Sequence, residues 1–279
     1  MLDFIKIDRL IYSALEEDMP FSDITTEFTV SEGSISKARL VAKQDGVIAG
    51  MPVFKRVFEL LNPEINIEIY IGDGSEARKG DVIARLKGPT REILIGERTG
   101  LNILQRLSGI ATAAANYVRL VEGFNVKIAD TRKTTPGLRY LEKYAVRMGG
   151  GSNHRFSLSD GVMIKDNHIV AAGGIKNAVA AVRGNIPHTV KIEVETENLD
   201  MVREALDAQA DIIMLDNMSN EMMAAAVDMI GGRALTEASG DMDEDRIRSV
   251  AATGVDIISV GRLTHSVKAM DISLKFYEQ

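Results

Sequence analysis

The sequence predicts an α/β protein, a parallel sheet wrapped by helices into a barrel, preceded by a smaller α+β unit. After Gly123, short apolar runs alternate with helical segments, the grammar of strand–helix–strand crossovers. Those runs end in polar residues: Asp130-Thr131-Arg132, Lys165-Asp166-Asn167, Glu193 with Glu195, Asp216-Asn217, Glu237 with Ser239, and Ser259 with Gly261. In a barrel such ends open on one rim, where active sites of that fold lie, whereas an open doubly wound sheet gathers only those at its switch point. Finally, Asp130 to His168 holds seven cations (Arg132, Lys133, Arg139, Lys143, Arg147, Arg155, Lys165) against four acids (Asp130, Glu142, Asp160, Asp166) in a chain of net charge -7. Basic groups gathered against the prevailing sign imply an anion between them.

Taken in order, residues 4–18 place Ile5, Leu10, Ile11 and Leu15 at near-helical spacing before Pro20, an amphipathic helix built for packing. Strand-like runs at Ala38–Ala42 and Val47–Ala49 flank a Gln44-Asp45-Gly46 turn, and a helix follows from Pro52 to Leu61. Ile65–Ile71 alternates as a strand, Gly72-Asp73-Gly74 turns the chain, and Asp81–Leu86 returns it. From Glu92 to Glu122 the residues suit a long helix that Gly100 and Gly109 interrupt.

The expected barrel strands are Val126–Ala129, Val162–Ile164, Val190–Val194, Ile212–Leu215, Ala234–Thr236 and Ile257–Val260. Between them lie helices near Leu138–Met148, Ile169–Val182, Leu199–Ala208, Glu221–Met229 and Glu244–Ala252. Thr135 is placed to cap the first of these with Pro136 at its start, which would aim a helix N-terminus at any anion held by Arg132 and Lys133. Arg139, Lys143 and Arg147, four apart, fit a solvated helix face. Arg132, Lys133, Arg155 and Lys165 instead stand at segment ends beside Gly, Thr and His, where side chains converge on ligands.

Within KIEVE, a period of two puts Lys191, Glu193 and Glu195 on one face, which is tolerable in a buried strand only beside a polar cavity. Glu195 and Asp216, ending neighbouring strands, fit either Mg²⁺ with substrate oxygens or ion pairs with Lys191 or Lys165. Ser239-Gly240 and Ser259-Val260-Gly261 allow backbone N–H groups to approach a phosphate, and His265 just beyond suits a helix cap or a ligand.

Composition narrows the class. The 279 residues, 45% hydrophobic and 26% charged, allow two domains with a large core. No cysteine means no disulfide, thiolate zinc site or cysteine nucleophile. The four histidines, His154, His168, His188 and His265, include no i, i+4 pair of the helical zinc kind. An acidic balance argues against nucleic-acid binding, no apolar run spans a membrane, and the N-terminal segment lacks the basic start and apolar core of a secretory signal, so a cytoplasmic protein is expected.

Several segments, ERTGLNILQRLSGIAT, DTRKTTPGLRYLEKYAV, GGGSNHRFSLSDGVMIKDNH, KIEVE, IIMLDN, EASG and ISVGRLTHS, are similar to those of the quinolinate phosphoribosyltransferase family, nearly end to end. The resemblance implies an irregular α/β barrel of the type II phosphoribosyltransferase kind over residues 111–265, with fewer strands than the usual eight. It implies an N-terminal α/β sandwich over 1–110, completed by the tail 266–279, and a homodimer with shared active sites, one subunit covering the barrel mouth of the other. The implied reaction makes nicotinate mononucleotide, pyrophosphate and CO₂ from quinolinate and phosphoribosyl pyrophosphate, with substrate-bound Mg²⁺, in NAD synthesis. Arg132, His154, Arg155 and Lys165 would bind the quinolinate carboxylates. Arg98, which spacing alone leaves on a helix surface, would reach in from the partner. Lys133 would serve phosphate or carboxylate, Glu195 and Asp216 the ribose and metal, and Ser239, Gly240 and Gly261 the 5′-phosphate. Thr131 and Ser259 complete the binding set, and Lys133, Lys165, Glu195 and Asp216 form the catalytic group. Asp241 departs from the family pattern, which has glycine there.

Two other readings remain at this point. Lys165 as a Schiff-base amine would make an aldolase-like barrel, but that chemistry does not account for so many arginines. An anion-binding accessory protein of the same fold is the non-enzymatic alternative, and the intact Lys165-Asp166-Asn167-His168 segment favours the transferase.

Overall fold

The computed structural model describes residues 2–277. Residues 1, 278 and 279, at the outer ends of the expected 1–110 domain and 266–279 tail, lie outside the described residues. The chain forms two compact units, one of Met1–Ala113, Tyr140–Gly150 and Val267–Gln279, the other of Ala114–Arg139 and Gly151–Ser266.

In the first unit, α1 (Phe4–Asp18) and α2 (Ile24–Thr29) start at the capping carboxylates of Asp3 and Asp23. The buried stripe of α1 is Ile7, Ile11 and Leu15, spaced by four; Ile5, expected there, is exposed. Next come β1 (Ile35–Ala42), β2 (Gly46–Val47), α3 (Met51–Leu61), β3 (Asn66–Ile69), β4 (Glu76–Ala77) and β5 (Val82–Pro89). Helix α4 (Thr90–Leu120) belongs to this unit as far as Ala113. It runs unbroken through Gly100 and Gly109 because these glycines permit contact: a Cβ at 109 would stand 2.2 Å from the Lys268 carbonyl, and one at 100 would stand 3.0 Å from the Phe54 ring. Burial of Phe54 and Phe58 there contributes about 1.5–3 kcal/mol each.

The second unit alternates β6 (Lys127–Ala129), β7 (Val162–Ile164), α6 (Asp166–Ala172), α7 (Ile175–Arg183), β8 (Ile192–Thr196), α8 (Leu199–Asp207), β9 (Ile212–Asp216), α9 (Asn220–Ile230), β10 (Leu235–Ser239), α10 (Glu244–Ala251), β11 (Ile257–Ser259) and α11 (Arg262–His265). All six strands are parallel, in the order β6-β11-β10-β9-β8-β7. The two edge strands lead to Thr131 and Lys165, which line one cavity, so the sheet curls around it as an incomplete barrel. Asn198, Ser219 and Asp243 cap α8, α9 and α10 from their side chains, each worth about 0.5–2 kcal/mol. On β8, Ile192 and Val194 alternate with Glu193 and Glu195, which the twofold period turns the other way.

The remaining helix, α5 (Arg139–Met148), has residues 140–148 in the first unit, and the last strand, β12 (Ile272–Phe276), pairs antiparallel with β1 in a β12-β1-β5-β3 sheet. Three local expectations fail. Thr135 does not cap α5, because Thr135–Leu138 closes a turn with Gly137 at φ +82° and the helix waits until Arg139. The helix expected to begin at Pro136 therefore begins three residues later, while the N-cap of the short α11, Gly261, packs beside Lys133. The helix expected over Ile169–Val182 splits at Gly173-Gly174, both at positive φ. Of the α5 face expected in solvent, Arg147 is exposed, but Lys143 is buried beside Glu142, which accepts from Arg106 at 2.8 Å.

Candidate active site

At the C-terminal ends of the six parallel strands lies a cavity of about 930 Å³. Thr131, Arg132, Lys133, His154, Arg155, Lys165, Glu195, Asp216, Ser239, Gly240, Ser259 and Gly261 all line it. Arg98 is exposed on α4 and is not among the lining residues.

The cationic wall comes from two segments. One follows β6, where the Lys133 N–H donates to Thr131 Oγ1 at 3.0 Å and the Lys133 carbonyl accepts from Thr264 Oγ1 at 2.7 Å. The other is drawn to β6 by Asp130, fully buried, whose carboxylate accepts from the His154 N–H at 2.9 Å and from Asn153 Nδ2 at 2.6 Å. This brings Arg155 beside Arg132. Burial, and then the Arg132 charge, hold the Arg155 guanidinium below its ordinary pKa. Arg132 Nε is buried without a hydrogen-bond partner. Two guanidinium groups lining one cavity, each feeling the other's charge and one with an unused buried donor, are chemically suited to planar anions.

The acids come from the ends of β8 and β9. Glu195 receives Lys165 Nζ at 2.5 Å, so the ion pair foreseen as an alternative exists; Lys191 is exposed. Asp216, ending the neighbouring strand, accepts from Asn217 Nδ2 at 2.8 Å. Asn217 sits at φ +55° and packs on Gly240, where a Cβ would come 2.1 Å from Asn217 Oδ1. Only glycine fits that point of the loop. Asp241 adopts φ +39°, a backbone shape that favours glycine, and its exposed side chain is at the cavity edge. His265 lines the cavity with Nδ1 2.7 Å from Ser266 Oγ.

Beneath the cationic wall, His154 Nε2 lies 3.1 Å from Glu193 and 3.5 Å from Glu237, both buried. These three groups are close enough to suggest a metal. However, His154 Nδ1 accepts the Arg155 backbone N–H at 2.7 Å, which puts the ring proton on Nε2 and leaves no lone pair there for a cation. Burial, then the Glu193 charge, push the Glu237 carboxyl up to about 7, against the opposing effects of His154 and Ser259. Because native Glu237 keeps its proton to higher pH than the unfolded chain, its contribution to stability is full below about 4.5 and is lost as pH rises through about 7. Glu237→Gln should therefore gain in melting temperature over wild type when pH is raised from about 5 to about 8. An offset equal at both pH values would contradict this.

The sequence understated several residues. Glu193 and Glu237 were visible as strand-end acids, and the period of two in KIEVE already put Glu193 on the cavity side. Arg139, whose spacing fits a solvated face, donates to Thr134 Oγ1 and to two backbone carbonyls. Nothing in the sequence singles out Met163, Met214 and Met242, the apolar part of the lining.

The family model of the quinolinate phosphoribosyl transferase N-terminal domain matches residues 23–108, and that of the C-terminal domain matches 110–275. The chain is 45% identical over 273 residues to a probable nicotinate-nucleotide pyrophosphorylase [carboxylating] of Bacillus subtilis (strain 168), covering 98% of this chain and 94% of that protein. It is 42% identical over 281 residues to the mitochondrial quinolinate phosphoribosyltransferase [decarboxylating] 2b of Nicotiana tabacum, covering 94% and 80%. Among solved structures it is similar to NadC from Streptococcus pyogenes, with a TM-score of 0.96 at 43% identity over 100% of this chain and 99% of that one.

Proposed function

The chain belongs to the quinolinate phosphoribosyl transferase family, and from that premise we propose that it transfers the phosphoribosyl group of phosphoribosyl pyrophosphate to quinolinate, with loss of CO₂, giving nicotinate mononucleotide and pyrophosphate for NAD synthesis. The observation that carries this reading is one cavity lined by Arg132, Arg155 and Lys165 together with Glu195 and Asp216.

Quinolinate has two adjacent carboxylates on a flat ring, and Arg132, Arg155 and Lys165 supply planar forks and a point charge for them. His154 keeps Arg155 in place through its Nδ1, its Nε2 being directed at Glu193 and Glu237. Lys133, the Ser239-Gly240 loop and Ser259 to Gly261 take the phosphates, and Thr131 fixes the Lys133 backbone. Glu195 and Asp216 are assigned to the ribose and to the Mg²⁺ carried by the diphosphate, hard oxygen donors suited to that ion. When bound, Mg²⁺ neutralises part of the leaving-group charge.

In the transfer, the ring nitrogen bonds to the anomeric carbon while the bond to pyrophosphate breaks, the departing oxygen taking the electron pair. Positive charge developing on the ribose favours nearby carboxylates, as in glycoside chemistry. Once the nitrogen is cationic it stabilises the electron pair left at C2 as CO₂ leaves, and that carbon then takes up a proton. Positioning and electrostatics are the protein's contribution.

A homodimer with shared sites is part of the proposal. Arg98, exposed and outside the lining, is free to serve a partner's cavity, and Phe21, Ile24 and Phe28 are exposed at 95%, 68% and 79%, an apolar surface suited to a second subunit. A Schiff-base role for Lys165 is disfavoured, since its ammonium meets Glu195 rather than apolar surroundings. No helix among the described residues is long and apolar enough to cross a membrane. The test is to supply protein with quinolinate and phosphoribosyl pyrophosphate, with and without Mg²⁺, and to assay nicotinate mononucleotide and CO₂. Product with Mg²⁺ supports the reading. Nicotinate in place of quinolinate should give little, and equal use of the two would count against a dicarboxylate site.

A further inference from the structure

Crowding Arg132 against Arg155 poses a mechanical problem. Before an anion arrives, the two like charges tend to push apart the chain segments that carry them. Resting on the dicarboxylate reading, we propose that Arg139 is the positioning residue that clasps those segments together. Its guanidinium Nε donates to Thr134 Oγ1 at 2.9 Å, Nη2 to the Arg132 carbonyl at 3.4 Å and Nη1 to the Phe156 carbonyl at 3.2 Å. One planar group thus touches the main chain at Arg132 and the main chain just after Arg155.

Both anchorage points are stiff. On the Arg132 side, the Thr134 N–H closes on the Arg132 carbonyl at 2.9 Å. On the other, Asp160 accepts from the N–H groups of Phe156 and Ser157 at 2.6 Å each, and Arg155 Nη1 donates to the Gly161 carbonyl at 2.8 Å. Arg139 makes no ion pair among the described residues, so its donors serve this bridge. Their three directions lie in one plane at fixed angles, which the single ammonium of lysine does not reproduce. The two cations are therefore held in place for a pair of adjacent carboxylates before the ligand binds, and the clasp acts chiefly on quinolinate binding, since of the groups assigned to phosphate only Lys133 lies within the segments it holds.

Wild-type turnover of quinolinate, measured first, tests the parent reading; its absence removes both. With turnover established, Arg139→Lys and Arg139→Gln test the clasp. The expected result is a KM for quinolinate raised about tenfold or more, kcat changed less than about threefold, and a KM for phosphoribosyl pyrophosphate raised less than about threefold. In Arg139→Ala, added guanidinium ion should lower the quinolinate KM while ammonium does not. The inference is overturned if the quinolinate KM stays at the wild-type value, or if both KM values rise together with a fall in melting temperature, which marks a general structural role.

Discussion

Replacing Arg132 by lysine should lower kcat/KM for quinolinate by about 10- to 150-fold, the factor corresponding to a charge-assisted hydrogen bond worth roughly 1.5–3 kcal/mol. The charge is kept, so a site that needed only positive potential would barely respond. What lysine loses is the fork. Arg132 Nε is buried and unpartnered, and the charge beside it on Arg155 makes a bidentate carboxylate the natural occupant of the space between. The KM for phosphoribosyl pyrophosphate should move less, since apart from Lys133 the groups assigned to phosphate, Ser239-Gly240 and Ser259 to Gly261, follow other strands. A near-wild-type kcat/KM for quinolinate would take Arg132 out of the site.

The second large effect concerns Arg98. Arg98→Ala and Lys165→Ala should each be close to inactive, because in the proposed shared-site dimer one removes a cation supplied to the partner's cavity and the other a cation of the protein's own. Mixing the two variants and letting subunits exchange makes about half the dimers mixed, each with one intact site of two, so about a quarter of wild-type activity should return. No recovery, with exchange verified by mass, would count against shared sites. Recovery would explain why an exposed residue outside the cavity lining has catalytic consequences.

The parallel strands were legible in the sequence because each is a short apolar run with a polar end, and that same feature located Glu195, Asp216 and Ser239. Boundaries were less legible where backbone conformation outweighed propensity. Thr135-Pro136 has the look of a helix start, yet Gly137 at positive φ turns the chain first, and Gly173-Gly174 breaks what periodicity read as one helix. Spacing also misjudged α5, since a row of basic residues four apart describes a helix face without saying what packs on it. Lys143 is buried and Arg139 is bonded to two loops. Asp130 is the subtler case. The sequence places it only among the strand-end polar residues, and full burial with its bonds to Asn153 and the His154 backbone makes it the support that carries His154 and Arg155 to the cavity.

Basic side chains from two separate segments line one cavity, and on the proposed reading they receive neighbouring carboxylates. A crystal structure with quinolinate bound should show the ring between Arg132 and Arg155, both carboxylates within hydrogen-bond distance of these guanidinium groups or Lys165, and the ring nitrogen facing Glu195 and Asp216. A ring bound elsewhere, or with its carboxylates turned to solvent, would contradict it.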